Sequence, residues 1–222
     1  MIISHRHRFI FIKTKKTAGT SLEIALSALC GPDDIITPIS PRDEQLRRDL
    51  GFRGPQNYQL PDGRQFFNHA SASAVRQVVG TGIWDNYFTF CFERNPWDKV
   101  ISWYHWECQQ RPDISFGAFL ASGHFALVGG PGGFDLYTDN GDVIVDRVCR
   151  YEDMASELAL LAARFGTPLP TLPKAKSGFR RDRRHYSEVY TAQQRELVAQ
   201  AFRREIALLG YRFEPAASIQ SS

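Results

Sequence analysis

The chain has 222 residues, of which 43% are hydrophobic and 23% charged, enough apolar material for one sizeable core without external staples. A formal charge of +3 suits a local anion site and excludes a protein built to coat nucleic acid. No apolar run is long enough to span a bilayer, and strand-like residues from Phe9 onward leave no room for a signal peptide. The expectation is a single cytoplasmic domain over residues 1–215 with a flexible tail at 216–222. Cys30, Cys91, Cys108 and Cys149 lie far apart in apolar segments, without CxxC or metal-ligand spacing, and read as reduced core thiols.

In chain order, Phe9 to Ile12 is aromatic and β-branched, as a buried strand is, and Thr20 to Leu29 places Leu22, Ala25, Leu26 and Leu29 at helical spacing before Gly31 and Pro32. Asp33 to Asp62 is rich in Pro, Gly and charge and reads as a surface excursion, with only Asp43 to Leu50 helical. Gln65 to Phe67 reads as a short strand ending at Asn68 and His69, and Ser71 to Val79 as a helix closed by Gly80. "YFTFCF", Tyr87 to Phe92, is the clearest strand. Pro96 suits the first turn of the helix that follows, which carries Trp97, Val100, Ile101 and Tyr104. "VGGPGGF", Val128 to Phe134, reads as a flexible loop, and Asn140-Gly141 as a tight hairpin turn before a strand over Val143 to Tyr151. Glu157 to Phe165 and Thr191 to Leu209 read as helices, the second opened by a Thr191/Gln194 capping box and followed by Gly210. Strands alternating with helices predict an α/β fold, a P-loop-like three-layer α/β/α sandwich with a mainly parallel central sheet.

Ligands in such sheets sit at the carboxyl ends of the strands, where Lys13 to Ser21 meets a helix amino terminus. Gly19 permits close approach, Thr17, Thr20 and Ser21 bring hydroxyls, and Lys13, Lys15 and Lys16 bring positive charge, a combination suited to an oxyanion. A nucleotide triphosphatase loop, GxxxxGK[ST], is excluded because Thr14 stands at its first glycine and Thr20 at its lysine.

"KKTAGTSL", Lys15 to Leu22, resembles the 5′-phosphosulfate loop of sulfotransferases that use 3′-phosphoadenosine 5′-phosphosulfate (PAPS), written PKTAGTSL in carbohydrate-type members, with Lys15 in place of the proline. "FERNPWDKVISWY", Phe92 to Tyr104, resembles the 3′-phosphate motif of the same family, an Arg at a strand end and a Ser on the next helix, here Arg94 and Ser102. The likeness runs loosely from Ile10 to Phe213. It implies PAPS as co-substrate, 3′-phosphoadenosine 5′-phosphate (PAP) as product and no metal. Lys15, Lys16, Thr17, Ala18, Gly19, Thr20 and Ser21 would hold the phosphosulfate, and Arg94 and Ser102 the 3′-phosphate. "KAKSGF" is similar to the family's late nucleotide-covering loop, which makes Lys176, Ser177 and Gly178 nucleotide contacts, while Arg180, Arg181, Arg183 and Arg184 are alternatively contacts for an anionic acceptor. "RYEDM", Arg150 to Met154, also looks like a family segment, with a structural role.

Sulfuryl transfer requires stabilisation of the departing phosphate oxygen and a base for the acceptor hydroxyl. Lys16 is the candidate for the first task and His69 for the second, since imidazole is largely neutral near pH 7; Glu93 is a second candidate base. The reading is a bacterial-style sulfotransferase acting on a hydroxyl of a carbohydrate or glycosylated small molecule, with no nucleic-acid partner and no membrane span. The oligomeric state, a homo-oligomer included, is left open. A P-loop nucleotide or small-molecule kinase and a noncatalytic PAP-binding protein are the rival readings.

Overall fold

The computed structural model describes residues 1–175 and 184–215. The expected tail at 216–222 lies outside these residues. The elements are β1 (Ile2–Ser4), β2 (Phe9–Phe11), α1 (Gly19–Ser27), β3 (Ile35–Ile36), α2 (Pro41–Asp49), α3 (Ala72–Val79), α4 (Thr81–Trp84), β4 (Phe88–Glu93), α5 (Pro96–Glu107), α6 (Phe116–Ala121), α7 (Phe134–Tyr137), β5 (Thr138–Asp139), β6 (Asp142–Val143), β7 (Arg147–Arg150), α8 (Met154–Phe165), α9 (Ala192–Ala201) and α10 (Arg203–Leu209).

The central sheet has the order β3-β1-β2-β4-β7. β2, β4 and β7 pair in parallel, whereas β1 pairs antiparallel with both β2 and β3, so every strand of the sheet except β1 runs the same way. The two-residue period of a strand divides the core between two faces. Ile3, Ile10, Ile12 and Cys91 pack with Ala72 and Val75 of α3, Trp84 of α4 and Tyr137 of α7. Ile2, Phe9, Phe11, Phe90, Phe92 and Cys149 pack on the other face with Leu22 and Leu26 of α1 and Leu161 of α8. Helices therefore cover both faces, as the α/β/α expectation requires. Trp97, Val100 and Ile101 of α5 form a third cluster with Phe119, Leu120, Val198 and Phe202.

Local chemistry accounts for the element ends. Ser71 caps α3, its hydroxyl accepting from the Ala74 N–H, and Gly80 (φ 75°) ends it. Asn95 caps α5 ahead of Pro96, and the Asn140-Gly141 turn (φ 52° and 93°) joins β5 to β6. Among the described residues no helix is long and apolar enough to cross a membrane.

Several expectations need correction. Gln65 to Phe67 is not a strand; a lone bridge joins Gln59 to Gln65, because most of this stretch is exposed and lacks a neighbour to complete a ladder. The strand expected over Val143 to Tyr151 is interrupted: Val143 belongs to β6 of the hairpin, and only Arg147–Arg150 joins the central sheet, where it pairs with β4. The helix over Thr191 to Leu209 is broken at Phe202 (φ −109°, ψ 24°), whose buried ring packs on Gly129, where a Cβ would lie 2.9 Å from it. The Asp33 to Asp62 excursion contributes the edge strand β3 to the sheet. Cys108 is half-buried at the end of α5, unlike the buried Cys30, Cys91 and Cys149.

Candidate active site

The site is assembled at the carboxyl ends of β2, β4 and β7. As β2 ends, the Ile12 N–H donates to the Phe90 carbonyl (2.9 Å) and the Thr14 hydroxyl donates to the Phe92 carbonyl, locking the start of the loop to β4. With the Thr14 hydrogen committed to Phe92, the Thr17 hydroxyl has two acceptors in reach for its one hydrogen, the Thr14 hydroxyl oxygen at 2.9 Å and the Thr14 carbonyl oxygen at 3.3 Å. Thr17 is buried and its hydroxyl braces the loop from within; its side chain is not among those that line the cavity described below. The Lys15 N–H donates to the Gly132 carbonyl (2.8 Å). The glycine-rich segment read as a flexible loop is thereby tied to the site.

Lys16 (φ 65°) and Ala18 (φ 59°) are both left-handed, with Thr17 between them outside that region. Alternation of this kind turns successive backbone N–H groups toward one point, as in an anion-binding nest. Ala18 is the N-cap of α1 but offers no side-chain bond, and the first turn carries no acidic residue. The amide groups that begin α1 and the positive end of its dipole are thus left for an anion. Gly19 is required by packing: a Cβ there would lie 2.8 Å from Lys13 Cγ and 3.3 Å from the Thr14 carbonyl oxygen.

Lys13 does not offer its charge to a ligand in the way the loop composition suggests. Its ammonium lies 2.7 Å from Glu23 Oε2. Burial would raise the Glu23 pKa, but the positive groups packed around it, Lys13 and Arg47 among them, outweigh it and hold the carboxyl below the usual carboxylate range.

The loop opens on a cavity of about 590 Å³ lined by Lys13 to Lys16, Ala18 to Ser21, His69, Arg94, Ser102, Trp103, Trp106, Tyr151 and Ala175. Lys15, Lys16, Ala18 to Ser21, His69, Arg94 and Ser102 of the candidate residues lie on this wall, whereas Thr17, Glu93 and Arg184 do not. Lys176, Ser177 and Gly178 lie outside the described residues; Ala175, just before them, is on the lining.

His69 sits in the turn ahead of α3 rather than at a strand end. Its Nδ1 is 2.7 Å from the Lys13 carbonyl oxygen. A carbonyl only accepts, so Nδ1 carries the hydrogen and Nε2 keeps its lone pair. Burial, opposed by the bond to Lys13 and reinforced by the charges of Lys13, Met1 and Lys15, pulls the imidazole pKa down to about 4. Glu93, the other candidate base, is buried and directed elsewhere: its Oε1 accepts from Lys99 Nζ (2.5 Å) and from the Arg94 N–H (2.9 Å), and it is not part of the cavity lining.

Arg94 is held on three sides. Nε and Nη2 donate to Asp98 Oδ2 (2.9 and 2.5 Å), Nη1 donates to the Lys16 carbonyl (3.2 Å), and the guanidinium lies 4.2 Å from the Tyr151 ring centroid. One N–H on each terminal nitrogen is not used by these bonds. The Asp98 pair orients the fork, and Ser102, one turn beyond Asp98 on α5, shares the same wall. Sequence reasoning missed Trp103, Trp106 and Tyr151 as lining residues. Tyr151 lies within "RYEDM", a segment whose likeness points to a structural role, and the only sequence signal for the tryptophans is that they follow Ser102 within one helical turn.

No family model matches the chain. The chain is 37% identical over 101 residues to an uncharacterized protein of Archaeoglobus fulgidus, a match covering 42% of this chain and 80% of that protein. The two belong to one family, whose archaeal member carries no named activity. The crystal structure of a sulfotransferase from Alicyclobacillus acidocaldarius aligns over 93% of this chain and 96% of its own, at 16% identity and a TM-score of 0.40. A likeness at that level assigns no residue, so the reading of the site rests on its own geometry.

Proposed function

We propose that the protein is a PAPS-dependent sulfotransferase that moves a sulfuryl group to a hydroxyl of a carbohydrate or glycosylated small molecule. The observation that carries this reading is the meeting of two anion-suited groups on one cavity: the nest and helix terminus at Lys15 to Ser21, and the oriented Arg94 fork beside Ser102. PAPS requires such a pair, because its phosphosulfate and its 3′-phosphate stand on opposite sides of the ribose.

In this scheme the backbone N–H groups of Gly19, Thr20 and Ser21 and the hydroxyls of Thr20 and Ser21 hold the nonbridging oxygens, and Arg94 and Ser102 take the 3′-phosphate. His69 Nε2 accepts the acceptor's proton as its oxygen bonds to sulfur. The bond from sulfur to the bridging phosphate oxygen breaks, and the Lys16 ammonium stabilises the charge left on PAP. The products are a sulfate ester, PAP and a proton on His69. Burial is the main cause of the low His69 pKa and the neighbouring lysines a lesser one; a donor's negative charge beside those lysines acts in the opposite direction and favours protonation of Nε2 as the acceptor's proton is released.

A P-loop kinase is the rival. A magnesium-bound nucleotide calls for a carboxylate near the phosphates, and among the described lining residues there is none. The deciding assay follows label from sulfur-labelled PAPS in wild type and His69→Ala. Loss of transfer with PAP binding intact supports the scheme; full activity of the variant removes His69 as base, and ATP-dependent phosphorylation without sulfuryl transfer overturns the reading.

A further inference from the structure

Two lining side chains have no part in the scheme above. Trp103 and Trp106 lie on α5 with their rings stacked, centroids 4.5 Å apart and planes at 16°, and both face the cavity. Trp106 belongs to none of the three hydrophobic clusters found among the described residues, so core packing does not account for its indole. Trp103 packs on the edge of the α5 cluster. The Lys15 and Lys16 ammonium groups lie 5.9 and 6.0 Å from its ring centroid, which sets the aromatic pair beside the lysines of the anion loop. The guanidinium end has its own aromatic cover in Tyr151.

We propose that Trp103 and Trp106 form the platform for the acceptor, against which a pyranose ring lays its C–H face. This rests on the sulfotransferase reading and deepens it. The π-face of an indole is electron-rich and attracts the weakly positive C–H groups of a sugar's apolar face, while the hydroxyls around the ring edge remain free to meet polar partners. Two stacked indoles make a rigid slab that fixes the ring plane at small entropic cost, leaving one edge hydroxyl directed toward the transfer point between the lysines and His69.

The test separates this inference from the reading beneath it. PAP affinity is measured by calorimetry, and label transfer from PAPS is measured on a library of unsulfated glycans, phenols and aliphatic alcohols, with wild type, Trp106→Ala and Trp106→Phe. The expected result is transfer to glycans, an acceptor KM raised about tenfold in Trp106→Ala, and recovery of most of that loss in Trp106→Phe, with PAP affinity unchanged throughout. Three results would overturn the platform: lowered PAP affinity with an unchanged acceptor KM, transfer confined to phenols or alcohols, or PAP binding with no glycan accepted. Failure of wild type to bind PAP at all would overturn the sulfotransferase reading itself.

Discussion

Acidification provides a direct probe of the His69 environment. An imidazole in the unfolded chain takes up a proton near pH 6.5, whereas the folded site resists it until about pH 4. Between those values the unfolded state holds more protons, so stability falls as pH is lowered through the window. Integrating the two titrations from about pH 7.5 to about pH 5 gives a loss of roughly 2 kcal/mol assignable to this one residue. His69→Asn removes the titration while its amide N–H can still donate to the Lys13 carbonyl in place of Nδ1. Urea unfolding followed by tryptophan fluorescence at the two pH values should show wild type losing about 2 kcal/mol more than the variant. Equal losses would mean that His69 is solvated and near its ordinary pKa, and the argument for a neutral Nε2 base held by Lys13 would fail.

Gly19→Ala should weaken PAP binding by at least about tenfold, since its Cβ would press on Lys13 Cγ and the Thr14 carbonyl and displace the amides that start α1; calorimetry checks this, and an unchanged affinity would remove the helix terminus from the site. Arg94→Ala should weaken PAP by about one to two decades more than adenosine 5′-phosphate, the worth of a charge-assisted bond, and equal weakening of both would exclude a 3′-phosphate contact. Glu205 is buried with both carboxyl oxygens unpartnered, and burial, with Glu93 nearby, raises its pKa to about 7. The unfolded group ionises first as pH rises from 4.5, so wild type should lose up to about 3 kcal/mol by pH 7 to 8, a slope that denaturant titrations should find missing in Glu205→Gln.

The elements on which the site depends were legible because their signals are local. An apolar strand, a lysine- and glycine-bearing loop and a helical stripe follow one another from Phe9 to Leu26, and the Asn95-Pro96 start of α5 is written in adjacent residues. What was hidden depends on contacts between distant parts. Ile2–Ser4 and Ile35–Ile36 are too short to read alone and become strands only by pairing with each other and with β2. Phe202 breaks a helix of continuous pattern because its ring is drawn into the cluster around α5. Within the site, the loop's position was readable but its division of labour was not. Thr17 turns inward and Lys13 pairs with Glu23, a residue ten positions on whose own surroundings include Met1 and Arg47. His69 reached the cavity wall without the strand expected to carry it, because the Lys13 carbonyl and the Ser71 cap fix the turn. Trp103 and Trp106 carry the spacing of an ordinary buried stripe, and only the packing of α5 turns them to the cavity.

In the proposed scheme one cavity holds both ends of a 3′-phosphorylated adenosine donor. Titration calorimetry of the protein with PAP in the absence of magnesium, with ATP as competitor, tests whether it does. The expected result is preferential PAP binding in the micromolar range, on the order of 8 kcal/mol, unaffected by chelator. Binding of magnesium-ATP with no response to PAP would contradict it and make the phosphate-loop kinase the reading of this site.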